Sequence, residues 1–330
     1  MANHLGRRKF LATLGGAAMW PLAARAQQGA MPVIGILAMA APEANAIRLR
    51  AIREGLRTTG YVEGQNVKVE YRWAELHTGR LPAVAADLVS RQVAVIVAST
   101  TPSALAAKTA TAGIPIVFGI ATDPVELGLV ASLNRPGGNV TGVTSLNVEV
   151  APKRLELMHE LLPSVTSMAL LINPAAPALA EPLSRMSRAA AKALALQLHI
   201  VHASSDRDFD AMFERLIELR VGALIIAPDS LFSNHKEQLA KLTVRHAIPA
   251  IYQYREFAAA GGLMSYGTSE TEYYRLVGIY AGRVLKGDKP ADLPVQQATK
   301  VELFLNLKTA KALSITVPLP LSGRADEVIE

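Results

Sequence analysis

Residues 114–144 read IPIVFGIATDPVELGLVASLNRPGGNVTGVT, and their reading decides the fold. A short apolar run, 114–118, stops at the polar turn Thr122-Asp123-Pro124. A helical segment is expected next, then Arg135-Pro136-Gly137-Gly138, then a second strand-like run over 140–146. Strands and helices alternate before this stretch, and the same alternation restarts after it. The stretch therefore reads as the end of one α/β lobe, the wall of a cleft, and the first crossing into a second lobe.

Upstream, apolar strands are expected at 32–37, 67–71 and 93–98, with helices over 42–60, 80–90 and 102–111 between them. Downstream, strands at 168–172, 199–202, 221–227 and 248–252 alternate with helices at 154–162, 180–196, 207–219 and 231–245. Strands separated by helices of ~10–15 residues indicate βαβ units and parallel sheets. The run at 93–98 has an echo at 221–227, and Gly113-Ile114-Pro115 has one in Ala247-Ile248-Pro249. Four βα units recur in the same order, so the chain is read as two lobes of similar architecture. The end of the chain forms no third lobe: a strand is expected at 261–267, a helix at 270–285, a polar linker at 287–294, then a strand and helix over 299–313.

The 330 residues suffice for two such domains. Hydrophobic residues make up 50% and aromatics only 5%, as buried parallel sheets require. Much of the formal charge of +6 lies in residues 1–26, where Arg7, Arg8, Lys9 and Arg25 face no acid. The rest is nearly balanced, so no nucleic-acid partner is expected. Absence of Cys excludes thiol catalysis, cysteine metal sites, disulfides and a lipid-bearing N-terminal Cys. The paired arginines, the Gly/Ala-rich run at 11–24 and Ala24-Arg25-Ala26 read as an export signal with cleavage before Gln27. A twin-arginine leader fits, with a general secretory leader as competitor. A periplasmic, soluble mature chain is expected.

Ligands of open parallel sheets sit beyond the carboxyl ends of the strands, near the switch in strand order. That rule nominates Ser99, Thr100, Thr101, Thr122 and Asp123 in the first lobe. It nominates Asn173, Asp229, Tyr252 and Tyr254 in the second. Ser99 to Thr101 precede a helix, whose N-terminus favours a carboxylate or other anion. Asp123 and Asp229 suit an ammonium group or hydroxyls, and the tyrosines suit an apolar or aromatic part. Helix caps and turns are the competing roles for the hydroxyls and aspartates, and the core is the competing place for Tyr252. Catalytic signatures are missing: GxGxxG, GxxxxGK[ST], HExxH and GxSxG do not occur, and the His residues lack metal-ligand spacing. Neither a catalytic residue, a metal nor a cofactor is expected.

Five stretches carry a family resemblance: RRKFLATLGGAAMWPLAARAQQ at 7–28, GYVEGQNVKVEYRWAE at 60–75, DPVELGLVASLNRPGGNVTGVT at 123–144, AAGGLMSYGT at 259–268 and LPVQQATKVELFLNLKTAKAL at 293–313. Over nearly its whole length the chain resembles the ABC-transporter substrate-binding proteins of the type I periplasmic fold, TrpX-like group. The resemblance implies two Rossmann-like lobes joined by three crossings, near 143–146, 266–268 and 290–295. The N-terminal lobe would then comprise 31–143 plus 268–290, and the C-terminal lobe 144–267 plus 295–330. It also implies a small-molecule ligand, in some relatives an aromatic amino acid, held between the lobes. A membrane permease and, through it, a cytoplasmic ATPase are the implied partners of a monomeric binding protein. Two other functions compete: a doubly wound α/β enzyme acting on a small metabolite, and the ligand-sensing domain of a regulator.

Overall fold

The computed structural model describes residues 31–330 apart from 44 and 146. The export-signal reading over residues 1–26 lies outside the described residues. The first lobe is built on β1 (Val33–Ala38), α1 (Ala46–Thr58), β2 (Lys68–Trp73), α2 (Leu81–Ser90), β3 (Val95–Ala98), α3 (Thr101–Ala110), β4 (Ile116–Ile120) and β5 (Val140–Ser145). The second continues with α4 (Ala151–Leu161), β6 (Ser167–Ile172), α5 (Pro177–Ala193), β7 (Gln197–His202), α6 (Phe209–Glu218), β8 (Ala223–Ile226), α7 (Ser230–Asn234), α8 (Lys236–Arg245), β9 (Ala250–Tyr252), α9 (Arg255–Ala259) and β10 (Met264–Thr268). The chain ends with α10 (Glu270–Leu285), β11 (Gln296–Ala298), β12 (Val301–Asn306), α11 (Leu307–Ala312), α12 (Leu319–Ser322) and β13 (Glu327–Ile329).

The six-stranded sheet runs β11-β5-β4-β3-β1-β2, with parallel pairing throughout. The seven-stranded sheet runs β13-β12-β10-β9-β8-β6-β7, and only its β10–β12 pair is antiparallel. Strands β1 to β5 and β6 to β10 thus follow one order in their two sheets, and the duplication expected from the sequence is one of topology. In each sheet the order reverses at the first strand, between β1 and β3 and between β6 and β8, so the two switch points are equivalent. Central strands such as β3 (VIVA) and β8 (ALII) are buried throughout, which is why they read as unbroken apolar runs.

Helix α10 returns from the second sheet to cover the first. It lies closely along α1 because small residues meet backbone: a Cβ on Gly278 would stand 2.1 Å from the Ile52 carbonyl oxygen, and one on Gly55 2.0 Å from that of Arg275. Tyr273, Tyr274, Val277 and Ala281 complete the core on that face of the sheet.

Two expectations are corrected. The helix expected after Pro124 is a series of turns: Asp123 Oδ1 takes the Val125 and Glu126 amides, and the Leu129 amide returns to the Pro124 carbonyl. The third crossing lies later than 290–295. Strand β11, with its sequence QQA, pairs with Val143–Ser145 in the first sheet, and the chain crosses at Thr299-Lys300. A three-residue, mostly exposed polar strand carries no periodicity to read. Residues 144, 145 and 296–298 thus belong to the first sheet.

Candidate functional site

The carboxyl ends of both sheets face one another across a cleft of about 800 Å³, counting the space at its mouth. From the first lobe come Arg48, the Ser99-Thr100-Thr101 turn, the end of β4, Ser145 and the α10 tyrosines. From the second come Asn173, Asp229, Ser233, Tyr254 and the first turn of α5. The lobes touch. Leu76 and Ala121 of the first lobe pack on the second lobe's core, and Arg185 stands 4.0 Å from Glu126 across the gap. This is a closed arrangement.

Six sequence-nominated residues line the cleft: Ser99, Thr100, Thr101, Asn173, Asp229 and Tyr254. Three do not. Tyr252 is fully buried, bonded to the Thr243 hydroxyl at 3.2 Å and stacked on Phe257, so it is a core residue. Thr122 is buried behind the wall and bonds Thr101 Oγ1 at 3.1 Å. Asp123 is exposed and caps the turns described above.

Each lining group has a geometry that limits its chemistry. Thr100 Oγ1 already accepts the Ser103 amide at 3.3 Å, and Pro102 carries no N–H, so α3 offers a ligand chiefly the Thr101 amide. Asp229 Oδ1 is taken by the Leu231 amide at 2.7 Å and Asn173 Nδ2 at 3.2 Å. Its Oδ2 accepts no hydrogen bond among the described residues. Burial pushes the Asp229 carboxyl up, against the pull of the Leu231 amide, Asn173 and nearby Arg48. Ser145 Oγ is buried at the cleft wall with no partner among the described residues.

Arg48 was not legible as a site residue, because an arginine on an amphipathic helix reads as solvated surface. Folding brings α10 beside α1, and Arg48 Nε donates to Glu270 Oε1 at 2.7 Å, with both side chains over 90% buried. Its guanidinium carbon lies 5.3 Å from the Tyr274 ring centre. Burial works to discharge Arg48, but Tyr274 and Glu270 hold its pKa above the ordinary value. Among the described residues only Glu270 accepts from it, so the terminal nitrogens remain available at the cleft wall. Tyr273 and Tyr274 donate to the carbonyls of Ile120 and Ser99 and shut the inner end.

Beneath the cleft, fully buried Arg154 ties two crossings together. It donates to the carbonyls of Tyr266 (2.7 Å) and Asn147 (2.9 Å) and to Asn147 Oδ1 (3.0 Å), which also takes the Thr268 amide. Burial without a carboxylate pulls its pKa down to about 10. No group of three or more His, Asp or Glu placed to hold a metal occurs among the described residues. None of their helices is long and apolar enough to cross a membrane.

Residues 33–329 match the profile of the family described as ABC transporter substrate binding protein. A tyrosine-binding protein of Clostridioides difficile is 29% identical over 267 residues, 79% of this chain and 75% of that protein. A conserved domain protein from Vibrio cholerae matches with a TM-score of 0.83 and 26% identity, covering 90% of this chain and 99% of that one. An ABC domain in complex with L-Trp from Streptococcus pneumonia matches at 0.82 and 25%, with the same coverage. The two-lobed α/β fold is shared with type I periplasmic binding proteins.

Proposed function

This chain belongs to the ABC transporter substrate binding protein family, and we propose that its solute is a zwitterionic α-amino acid clamped between the lobes. The observation that carries this reading is the pair Arg48 and Asp229. They stand on opposite lobes, within electrostatic reach, each held on one side and open on the other. A planar guanidinium matches a carboxylate, and a fixed carboxylate oxygen matches an ammonium group. In this arrangement the solute carboxylate meets Arg48 and the Thr101 amide, and its ammonium meets Asp229 Oδ2. Tyr254, whose hydroxyl has no partner among the described residues, and Ser145 complete the polar wall.

An aromatic side chain is favoured by the names of two relatives, one a tyrosine-binding protein and one an L-Trp complex. Closure over the solute is a hinge motion about the crossings that Arg154 ties. The closed pair of lobes is the form handed to a permease, whose ATPase drives uptake. On this reading the chain works outside the cytoplasm, as a monomer, and catalyses nothing. A thermal-shift screen of the twenty amino acids tests it. L-tyrosine or L-tryptophan should raise Tm in a dose-dependent way. A folded protein that responds to none of the twenty overturns the reading.

A further inference from the structure

We infer that the solute's side chain leaves the polar chamber through an apolar slot between the N-termini of α2, α3 and α5, and that small residues there set the size accepted. The inference rests on the amino-acid reading and deepens it.

The slot is a second cavity of about 620 Å³, counted out to solvent, and it adjoins the chamber: Thr78, Thr101, Pro102, Ala175, Ala176 and Leu179 line both. The chemistry changes along this path. The inner chamber holds Arg48 and Asp229, whereas no charged residue lines the slot, whose walls beyond the shared residues are Leu81, Pro82, Leu105, Ala106, Pro177 and Ala178. Helix N-termini ordinarily present free amides that attract anions and water. Here each of the three converging helices carries Pro in its first turn, at Pro82, Pro102 and Pro177. Each proline replaces a donor with a ring, so the exit is apolar where backbone alone would make it polar.

The direction is also constrained. Tyr273 and Tyr274, pinned to backbone carbonyls, shut the inner end. An amino acid with its charged groups on Arg48 and Asp229 therefore points its side chain outward. The slot takes walls from both lobes, so an apolar group filling it touches α2 and α3 on one side and α5 on the other. Such a group adds to closure, and a small side chain leaves the slot empty.

The test fills the slot without touching the charged chamber. Ala106 is half-buried on α3 and Ala178 half-buried on α5. Ala106→Phe and Ala178→Leu are compared with wild type in calorimetric titrations with L-tryptophan, and in displacement titrations with L-leucine and L-alanine. Wild type should rank them in that order. Each filled variant, with Tm near wild type, should lose at least about 10-fold affinity for L-tryptophan while that for L-alanine stays within about 3-fold. Equal losses for all three, or no loss for L-tryptophan, overturn the slot and leave the amino-acid reading standing. If wild type binds none of the twenty amino acids, the reading fails and the slot's assignment fails with it.

Discussion

Replacing Asp229 with Asn separates a ligand group from a helix cap. Asp229 is the N-cap of α7 and accepts the Leu231 amide at 2.7 Å, a bond worth about 1 kcal/mol. Asn caps equally well, and its oxygen can keep both the Leu231 and Asn173 bonds. What changes is the side facing the cleft, where a carboxylate oxygen becomes an NH₂ donor. A solute ammonium then loses its acceptor and meets another donor, which costs about 2–5 kcal/mol, or about 30-fold to several-thousand-fold in Kd. The empty protein should respond in the opposite sense. Because burial raises the Asp229 pKa, the folded state keeps its proton to higher pH than the unfolded chain does. Ionisation at neutral pH therefore subtracts from stability, and Asn removes that burden. Calorimetric titration and thermal denaturation together should show Asp229→Asn with much weaker binding and an unchanged or higher Tm. Asp229→Ala should lose affinity as well, with a drop of about 2 °C for the lost cap. Unaltered affinity in Asp229→Asn, or a marked fall in its Tm, would mean that Asp229 serves the fold alone.

The same carboxylate sets a pH dependence. Affinity should be flat above the raised pKa of Asp229 and fall by up to about 10-fold per unit once pH drops below it. The onset should come at a higher pH than for an ordinary aspartate, and a wild-type profile identical to that of Asp229→Asn would contradict this. Arg48→Gln should abolish binding and destabilise by about 3–5 kcal/mol, since Glu270 is left buried without its cation. Arg48→Met with Glu270→Leu should regain most of that stability and none of the affinity; recovered binding would remove Arg48 from the site. In Gly267→Ala the new Cβ would stand 2.1 Å from the Gln253 carbonyl oxygen and 2.5 Å from Asn147 Oδ1. Denaturation should show a loss of about 1–3 kcal/mol or more, and a neutral variant would refute close packing at the hinge. Tyr252→Phe should cost about 1 kcal/mol through the Thr243 bond and leave Kd unchanged; a changed Kd would return Tyr252 to the cleft.

Much of the fold was legible because buried parallel strands announce themselves. Runs such as 93–98 and 221–227 gave the strands, and the strand-end rule placed six of nine nominated residues on the cleft. The misses have physical causes. Tyr252 and Tyr254 are two apart, a spacing that puts both on one face of a continuous strand. However, β9 ends at Tyr252 and the chain bends before Tyr254, so Tyr252 stays in the core while Tyr254 turns to the cleft. Thr122 follows a strand end but turns inward to bond Thr101. Arg48, Glu270, Tyr273 and Tyr274 were read only as helix residues. Their role depends on α10 crossing back onto α1, a contact across 222 positions that no local pattern encodes. Strand β11 escaped notice because an edge strand of QQA needs no apolar alternation.

The central claim is that Arg48 and Asp229 hold the two charged ends of one amino acid. A crystal structure of residues 31–330 grown with L-tyrosine or L-tryptophan tests it most directly. It should show one molecule in the cleft, carboxylate within hydrogen-bond distance of Arg48 and ammonium within that of Asp229 Oδ2. An empty cleft at saturating amino acid, or a solute that leaves either residue without a contact, would contradict the account.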